Sequence, residues 1–173
     1  MVGVDHLNNI ERKLIDNLRT GTFIASGGSA TAWSSSDVTV YGQFPDTDQV
    51  KYPSIIVEHV ANGLETQFIG QKITAGTDMH QARGELYGEG FNIVLMIDKD
   101  SSITVSGEPY KERRLLNYLM LNVANILMDC DFSASGTEIE ERHYSGFSDI
   151  AYDPNSELWM ARTSMIVTFK NAR

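Results

Sequence analysis

The run Phe91–Ile97, closed by Asp98-Lys99-Asp100, constrains the fold more than any other stretch of this sequence. Apolar side chains stand at both odd and even positions of the run, which is typical of a strand covered on both faces. A strand of this kind lies inside a sheet and not at its edge. The sequence therefore predicts a central strand, and the rest of the chain has to provide its neighbouring strands and its covering layers.

Two amphipathic helices are predicted to cover the sheet. Residues Val4–Arg19 carry Leu or Ile at helical spacing, and residues Glu112–Met128 do the same a few positions after Pro109, which stands where a helix would begin. Each helix has one apolar stripe and one polar face, so each must pack on another element. We expect both stripes to face the sheet, with Leu119 among the buried positions.

Further strands are predicted before and after the central run. They cover Val38–Tyr41, Ser54–Val60, Glu65–Ile69, Thr137–Tyr144 and Leu158–Lys170. Turn-forming residues separate them, and the charges of the fourth segment are typical of an edge strand. The order of helix, strands, helix and strands indicates a single α+β domain over residues 1–173, with a mostly antiparallel sheet and two helices packed on one face.

Two segments rich in small residues interrupt this pattern. Residues 20–37 are rich in Gly and Ser, which favours a long connecting loop, yet they include Phe23, Ile24 and Trp33. Large apolar residues in such a loop either fold back onto the domain or contact a partner. Residues 70–90 are rich in Gly and polar residues, and they are predicted to form a projecting loop or hairpin that contacts a partner.

The charge balance and the cysteine count limit the possible partners and sites. The formal net charge is -9, from 14 Lys and Arg against 23 Asp and Glu, so the average field repels nucleic-acid phosphates. The single cysteine, Cys130, excludes an intramolecular disulfide and a Cys-rich zinc site. The first residues lack the pattern of a signal peptide, and no apolar run reaches the about 18 residues of a membrane span. We expect a protein made in the cytoplasm without membrane attachment.

No motif in the sequence predicts catalysis or a cofactor. The segment Asp98–Ser102 resembles the start of an EF-hand loop, but Ile103 and Pro109 occupy the positions that require glycine and a bidentate acid. The 4 histidines lack the spacing that places two metal ligands on one helix face: His6, His59, His80 and His143. We therefore expect no enzyme, no cofactor and no bound metal.

The layout of elements resembles that of the tail-terminator, or tail-completion, proteins of long-tailed viruses. The resemblance rests on the helical segment Glu11–Leu18, on Tyr52–Val57 and Gly90–Leu95, and on the Leu115–Met128 helix with the later Leu158–Phe169 strand. It covers nearly the whole chain and consists of element order and pattern. The long Ser- and Gly-rich segment near residue 30 departs from the pattern of the family.

The resemblance implies a structural virion protein. Such proteins form a ring, usually a hexamer, that caps the tail tube at its head-proximal end, stops tail polymerisation and joins the tail to the neck and capsid. The implied partners are further copies of the chain, the tail tube protein and the neck or connector protein, while genomic DNA passes through the lumen without specific binding. The candidate subunit or partner contacts are Phe23, Ile24, Trp33, Gln71, Asp78 and His80, and the candidate lumen-facing acids are Glu85 and Glu89.

Two alternatives stay open at this point. A neck or head-completion protein, acting as a head–tail connector, would share the fold and the ring symmetry and would differ in its position in the particle. A small hydrolase or ligand-binding domain would use His59, Asp78 and His80. A bound metal, or a measured activity lost in His80→Ala, would favour this second alternative over a structural ring.

Overall fold

The computed structural model describes residues 6–20, 22–24, 30–33, 36–46, 49–60, 72–74, 81–105, 107–129, 138–148 and 150–172. Within these ranges, helix α1 spans His6–Arg19 and helix α2 spans Glu112–Asp129. The strands of the same ranges are β1 (Thr22–Ile24), β2 (Ala30–Ala32), β3 (Thr39–Tyr41), β4 (Ser54–Val60), β5 (Lys72–Thr74), β6 (Gln81–Asp98), β7 (Ser102–Val105), β8 (Glu108–Lys111), β9 (Glu138–Phe147), β10 (Ala151–Asp153) and β11 (Leu158–Ala172).

The main sheet is built around β6, which contains the run Phe91–Ile97. Its strand order is β10-β11-β6-β4-β3, and β9 pairs with β11 on the edge that β10 also uses. All these pairs are antiparallel except β3 with β4, which run parallel. The predicted α+β fold with a mostly antiparallel sheet and a central strand at this run is therefore confirmed.

Side chains of β6 are buried on both faces of the sheet, throughout the apolar run on one face and at Val94 on the other, where Asn92 and Met96 are half-buried. Phe91, Ile93, Leu95 and Ile97 are fully or almost fully buried and belong to the main core cluster. On the opposite face Val94 is also buried, beside Ile56 of β4, its register partner. Because successive side chains of a strand point to opposite faces, this burial requires material on both sides of the sheet.

Both helices pack on the face of the sheet that carries the odd-numbered residues of β6. Their buried positions recur every three or four residues, as one stripe of a helix requires: Ile10, Leu14 and Leu18 in α1, and Leu115, Leu116, Leu119, Val123, Ile126 and Leu127 in α2. These residues share one core cluster with Phe91, Ile93, Leu95 and Ile97. The predicted packing of both helices on one face is confirmed, and burial of each large side chain contributes about 1.5–3 kcal/mol.

Two short strand pairings depart from the sequence-based expectation. Strands β1 and β2 form an antiparallel pair inside the segment expected to be a loop, with Thr22 opposite Ala32. The branched and aromatic residues of β1 have the strand preference that the surrounding Gly and Ser residues obscure. Pro109 lies in β8, which pairs with β7, and α2 begins three residues later at Glu112. The expected strand Glu65–Ile69 lies outside the described residues.

Strands β6 and β11 continue together past the end of β4. Their register extends from Leu158 opposite Asp98 to Ala172 opposite Gly84, whereas β4 ends at Val60 opposite Gly90. The paired residues 84–89 and 167–172, which we call the strand extension, add about 20 Å of ladder. Strand β5 pairs with residues 81–83, so two parts of the 70–90 segment are joined as antiparallel strands.

Candidate interaction surfaces

The main sheet is open, and its two edges differ. Strand β3 forms one edge, and β9 with β10 forms the other, on the far side of β11. Within the described ranges β3 pairs only with β4 and β9 pairs only with β11, so each has one edge without a strand partner. Such an edge presents backbone N–H and C=O groups that a further strand can bind. The exposed Glu141, Arg142 and His143 of β9 make that edge charged.

A contact between a buried carboxylate and a partly exposed histidine lies where β4 ends and the strand extension begins. Glu89 of β6 is 6% exposed, and its carboxylate bonds Nε2 of His59 near the end of β4. The His59 ring also packs on Phe91, with ring centroids 5.5 Å apart. In this chain the Glu89 carboxylate therefore faces His59 and the core side of the sheet, and not an open surface. Glu85 lies in the strand extension, opposite Asn171.

Trp33 packs into the core next to the end of α1. Its side chain is 6% exposed, and its indole N–H donates a 2.8 Å hydrogen bond to the carbonyl oxygen of Leu18. The last carbonyl groups of a helix lack partners within the helix, so this bond satisfies one of them. Of the other candidate contacts, Phe23 and Ile24 lie in β1, while Gln71, Asp78 and His80 lie outside the described residues.

Helix α2 exposes apolar side chains on the side away from the sheet. Leu121 is 61% exposed and Met128 is 53% exposed, and their separation of seven positions, about two helical turns, brings both onto one stripe of the helix. Asn117 lies one turn before Leu121 and is also exposed. We call Leu121 and Met128 the α2 stripe. Exposed apolar side chains that share one helix stripe are a common feature of protein contact surfaces.

A polar cleft opens on the opposite face of the sheet, at the junction of β9 and β11. Its volume is about 330 Å³, and its lining residues are Asn92, Ser145, Gly146, Phe147, Ser148, Arg162, Thr163 and Ser164. The cleft exists because the β9–β11 register shifts between Thr163 and Met165, which is the geometry of a β-bulge. Gly146, at a φ of 78°, provides the left-handed backbone that this bulge requires.

The cleft was not predicted from the sequence, although two signals point to it in retrospect. Gly146 lies inside a strand, where glycine often marks a bulge. Arg162 lies in the middle of β11, a strand otherwise dominated by apolar and small polar residues in this region. Neither signal identifies the cleft alone, because its walls come from residues up to 72 positions apart that only the strand register brings together.

Several groups have shifted pKa values, and they lie in different parts of the fold. Burial raises the pKa of Tyr52 and of Tyr144, and it raises the pKa of Tyr118 to about 12, with smaller contributions from Tyr110 and Asp37. Hydrogen bonds from Ser156 and from the Asn155 backbone lower the pKa of Asp153 and stabilise the turn before β11. These groups do not converge on one cleft.

Neither a metal cluster nor a membrane-spanning helix is found in the part of the chain that the structure describes. Of the three residues of the hydrolase alternative, His59 is bonded to Glu89, while Asp78 and His80 lie outside the described residues. The sequence matches no protein-family model and no curated protein. The function therefore has to be inferred from the fold and from the surfaces described above.

Proposed function

We propose that this protein is a tail terminator of a long-tailed virus, which closes into a ring on the head-proximal end of the tail tube. The observation that carries the proposal is the open sheet around β6, whose two edges differ, with two helices on one face. The resemblance to tail-terminator proteins rests on the order of these elements along the chain. The ring would consist of copies of this chain, and six is the number that the resemblance implies.

A closed ring requires a head-to-tail contact between two different surfaces of each subunit. The edges at β3 and at β9 meet this requirement because they lie on opposite sides of the sheet and differ in length and charge. Backbone hydrogen bonds between a β3 edge and the β9 edge of the next copy would join the subunits by strand addition. The charged β9 side chains would limit strand addition by unrelated proteins.

The α2 stripe would provide the apolar part of a contact with the tail tube or with the neighbouring subunit. Large apolar side chains at the centre of an interface contribute most of its binding energy when they are fully desolvated. One face of the ring would then bind the last ring of the tube. The opposite face would bind the neck without offering a surface on which another tube subunit can add, which ends tail growth.

The charge of the chain fits a ring through which DNA passes. With a net charge of -9, the subunit repels the phosphate backbone on average, so DNA would move through the lumen without being held. This function needs recognition of protein partners and no chemical step. The protein would act in the virion after synthesis in the host cytoplasm.

Electron microscopy of particles from a virus that lacks this gene tests the proposal directly. We expect tails of uncontrolled length that are not attached to filled heads, and the intact gene supplied in trans should restore normal tails. Tails of normal length beside leaking or tailless heads would instead assign the protein to the neck. Fully normal particles would reject a structural role.

A second test addresses the α2 stripe in the same complementation assay. The double variant Leu121→Asp, Met128→Asp should fold, because both side chains are exposed, but it should fail to restore tail length. Thr104→Asp is the matched control, since it adds a charge at an exposed position of β7, outside the α2 stripe. Normal tails with the double variant would remove the α2 stripe from the proposed contacts and leave the sheet edges.

A further inference from the structure

We infer that the cleft at the β9–β11 junction binds one acidic side chain presented by another polypeptide. The inference rests on the groups that line the cleft and does not depend on the proposed function. It assigns a binding role to a face of the sheet that the two helices do not cover. The ligand class is a carboxylate, and its source is an Asp or Glu side chain.

The floor of the cleft is formed by neighbouring residues of β6 and β11. Asn92 and Ser164 are register partners, and Arg162 lies two residues before Ser164, so all three share one face of the sheet. The wall is the bulged end of β9, from Ser145 to Ser148. The cleft therefore places a guanidinium group, a carboxamide and a row of hydroxyl groups around one space.

The hydroxyl groups of the wall are used to hold the bulge in place. The Ser164 backbone N–H donates to Ser145 Oγ at 3.1 Å, and the hydroxyl of Thr163 donates to the Gly146 carbonyl at 2.7 Å. The Ser148 backbone N–H donates to the Arg162 carbonyl at 2.7 Å, and the Arg162 N–H donates to Ser148 Oγ at 3.2 Å. These bonds fix the shape of the cleft before any ligand is present.

Two side-chain groups of the cleft that take no part in these bonds carry hydrogen-bond donors. Within the described ranges, neither the Arg162 guanidinium nor the Asn92 carboxamide has a hydrogen bond or an ion pair. The guanidinium presents its N–H groups in a planar fork that matches both oxygens of a carboxylate, and the carboxamide adds a further donor. A phosphate dianion fits less well, because only one cationic group lines the cleft and the average field of the chain repels anions of higher charge.

The openness of the cleft favours a side chain on a polypeptide over a free small molecule. Sites for free ligands usually enclose most of the ligand surface, whereas this cleft is open to solvent over a large part of its surface. A single charge-assisted contact at an open site is weak by itself. A carboxylate attached to a larger partner gains the remaining affinity from further contacts with the protein surface around the cleft.

NMR titration of the ¹⁵N-labelled full chain tests the inference. The probes are an acetylated and amidated pentapeptide with a central Glu between alanines, the same peptide with Gln, free glutarate and inorganic phosphate. We expect saturable shifts in the millimolar range for the Glu peptide, confined to the amides of residues 92, 145–148 and 162–164. Arg162→Ala should weaken the binding about tenfold, since it removes a bidentate charge-assisted bond.

Two further variants separate a binding role from a general effect of charge or folding. Arg113→Ala removes an exposed arginine from the start of α2 and should leave the titration unchanged. Arg162→Lys keeps the charge without the planar fork and should give intermediate affinity. Equal binding by Arg162→Ala, or equal binding of the Gln peptide, would overturn the inference. Tighter binding of phosphate or of free glutarate than of the Glu peptide would also overturn it, because the ligand would then be of another class.

Discussion

At the scale of single residues, the contact of His59 with Glu89 illustrates how a buried carboxylate is accommodated. Glu89 is 6% exposed, so most of its hydration is lost on folding, and the imidazole of His59 replaces part of it. The pair lies at the point where β4 ends and only β6 and β11 continue as the strand extension. The contact therefore lies at the boundary between the core of the sheet and the strand extension.

We predict that His59→Ala lowers the free energy of unfolding by about 1–3 kcal/mol, since it leaves the buried Glu89 carboxylate without its partner. Urea denaturation measures this change. The double variant with Glu89→Gln should lose less than the sum of the two single variants, because the groups interact. His143→Ala, at an exposed position of β9, is the control and should stay within about 0.5 kcal/mol of wild type.

Two glycines allow backbone strain to be separated from packing. A Cβ added at Gly146 or at Gly88 meets no atom within 4 Å, but only Gly146 has a positive φ, of 78°. Gly146→Ala should therefore lower the free energy of unfolding by roughly 1–2 kcal/mol through backbone strain. Gly88→Ala should leave it unchanged or slightly higher. Equal losses in thermal denaturation of both variants would contradict the assignment of the bulge.

The raised pKa of Tyr118 predicts a specific loss of stability in alkali. Its pKa is about 12 in the folded chain and near 10 when the chain is unfolded, so the unfolded state releases the proton first. The contribution of this phenol is complete below pH 10 and disappears as the pH rises towards 12. Tyr118→Phe should therefore lose less stability than wild type between pH 10 and 12, measured by urea denaturation at each pH, with pH 8 as the reference.

At the scale of elements, helix α2 has one buried and one exposed leucine two residues apart. Leu119 is fully buried against the sheet, whereas Leu121 is 61% exposed. Leu119→Ala should lower the free energy of unfolding by about 2–5 kcal/mol, from lost apolar burial and the cavity that remains. Leu121→Ala changes the same atoms at a solvated position and should cost no more than about 0.5 kcal/mol. Similar costs for both variants would contradict the packing of α2.

The long elements were predictable because their signal is local. The apolar run of β6 and the helical spacing of Leu115, Leu119 and Ile126 are visible within one segment and require no knowledge of the rest of the chain. The three-residue strands β1 and β2 were not predicted, since a segment of this length carries almost no periodicity. The cleft and the His59–Glu89 pair depend on register between distant strands, which the sequence does not display.

At the scale of the whole molecule, the sheet should be most stable at its centre. Residues 91–96 of β6 are paired on both sides, by β4 and β11, and α2 packs against this strand. In the strand extension, the pairs of residues 84–86 with 170–172 form the end of the ladder. Amides near this end should open locally, whereas the central amides should exchange only through global unfolding.

Hydrogen exchange of the full chain measures this difference. We expect backbone amides at residues 84–86 and 170–172 to exchange ~100-fold faster than those at residues 93–95, corresponding to a difference of about 2.8 kcal/mol in opening free energy. Addition of a protein partner that binds the sheet edges should slow the exchange of β9. Uniform exchange along β6 would mean that the strand extension opens only together with the core.

Strand β11 lies between β6 and the strands β9 and β10, yet it follows all three in the sequence. A ribosome therefore produces β6, β9 and β10 before the strand that joins them exists. During that interval one edge of β6, with its apolar run, has no partner and is open to pairing with other newly made chains. The synthesis of this protein should therefore depend on chaperones that shield the nascent chain until β11 has emerged.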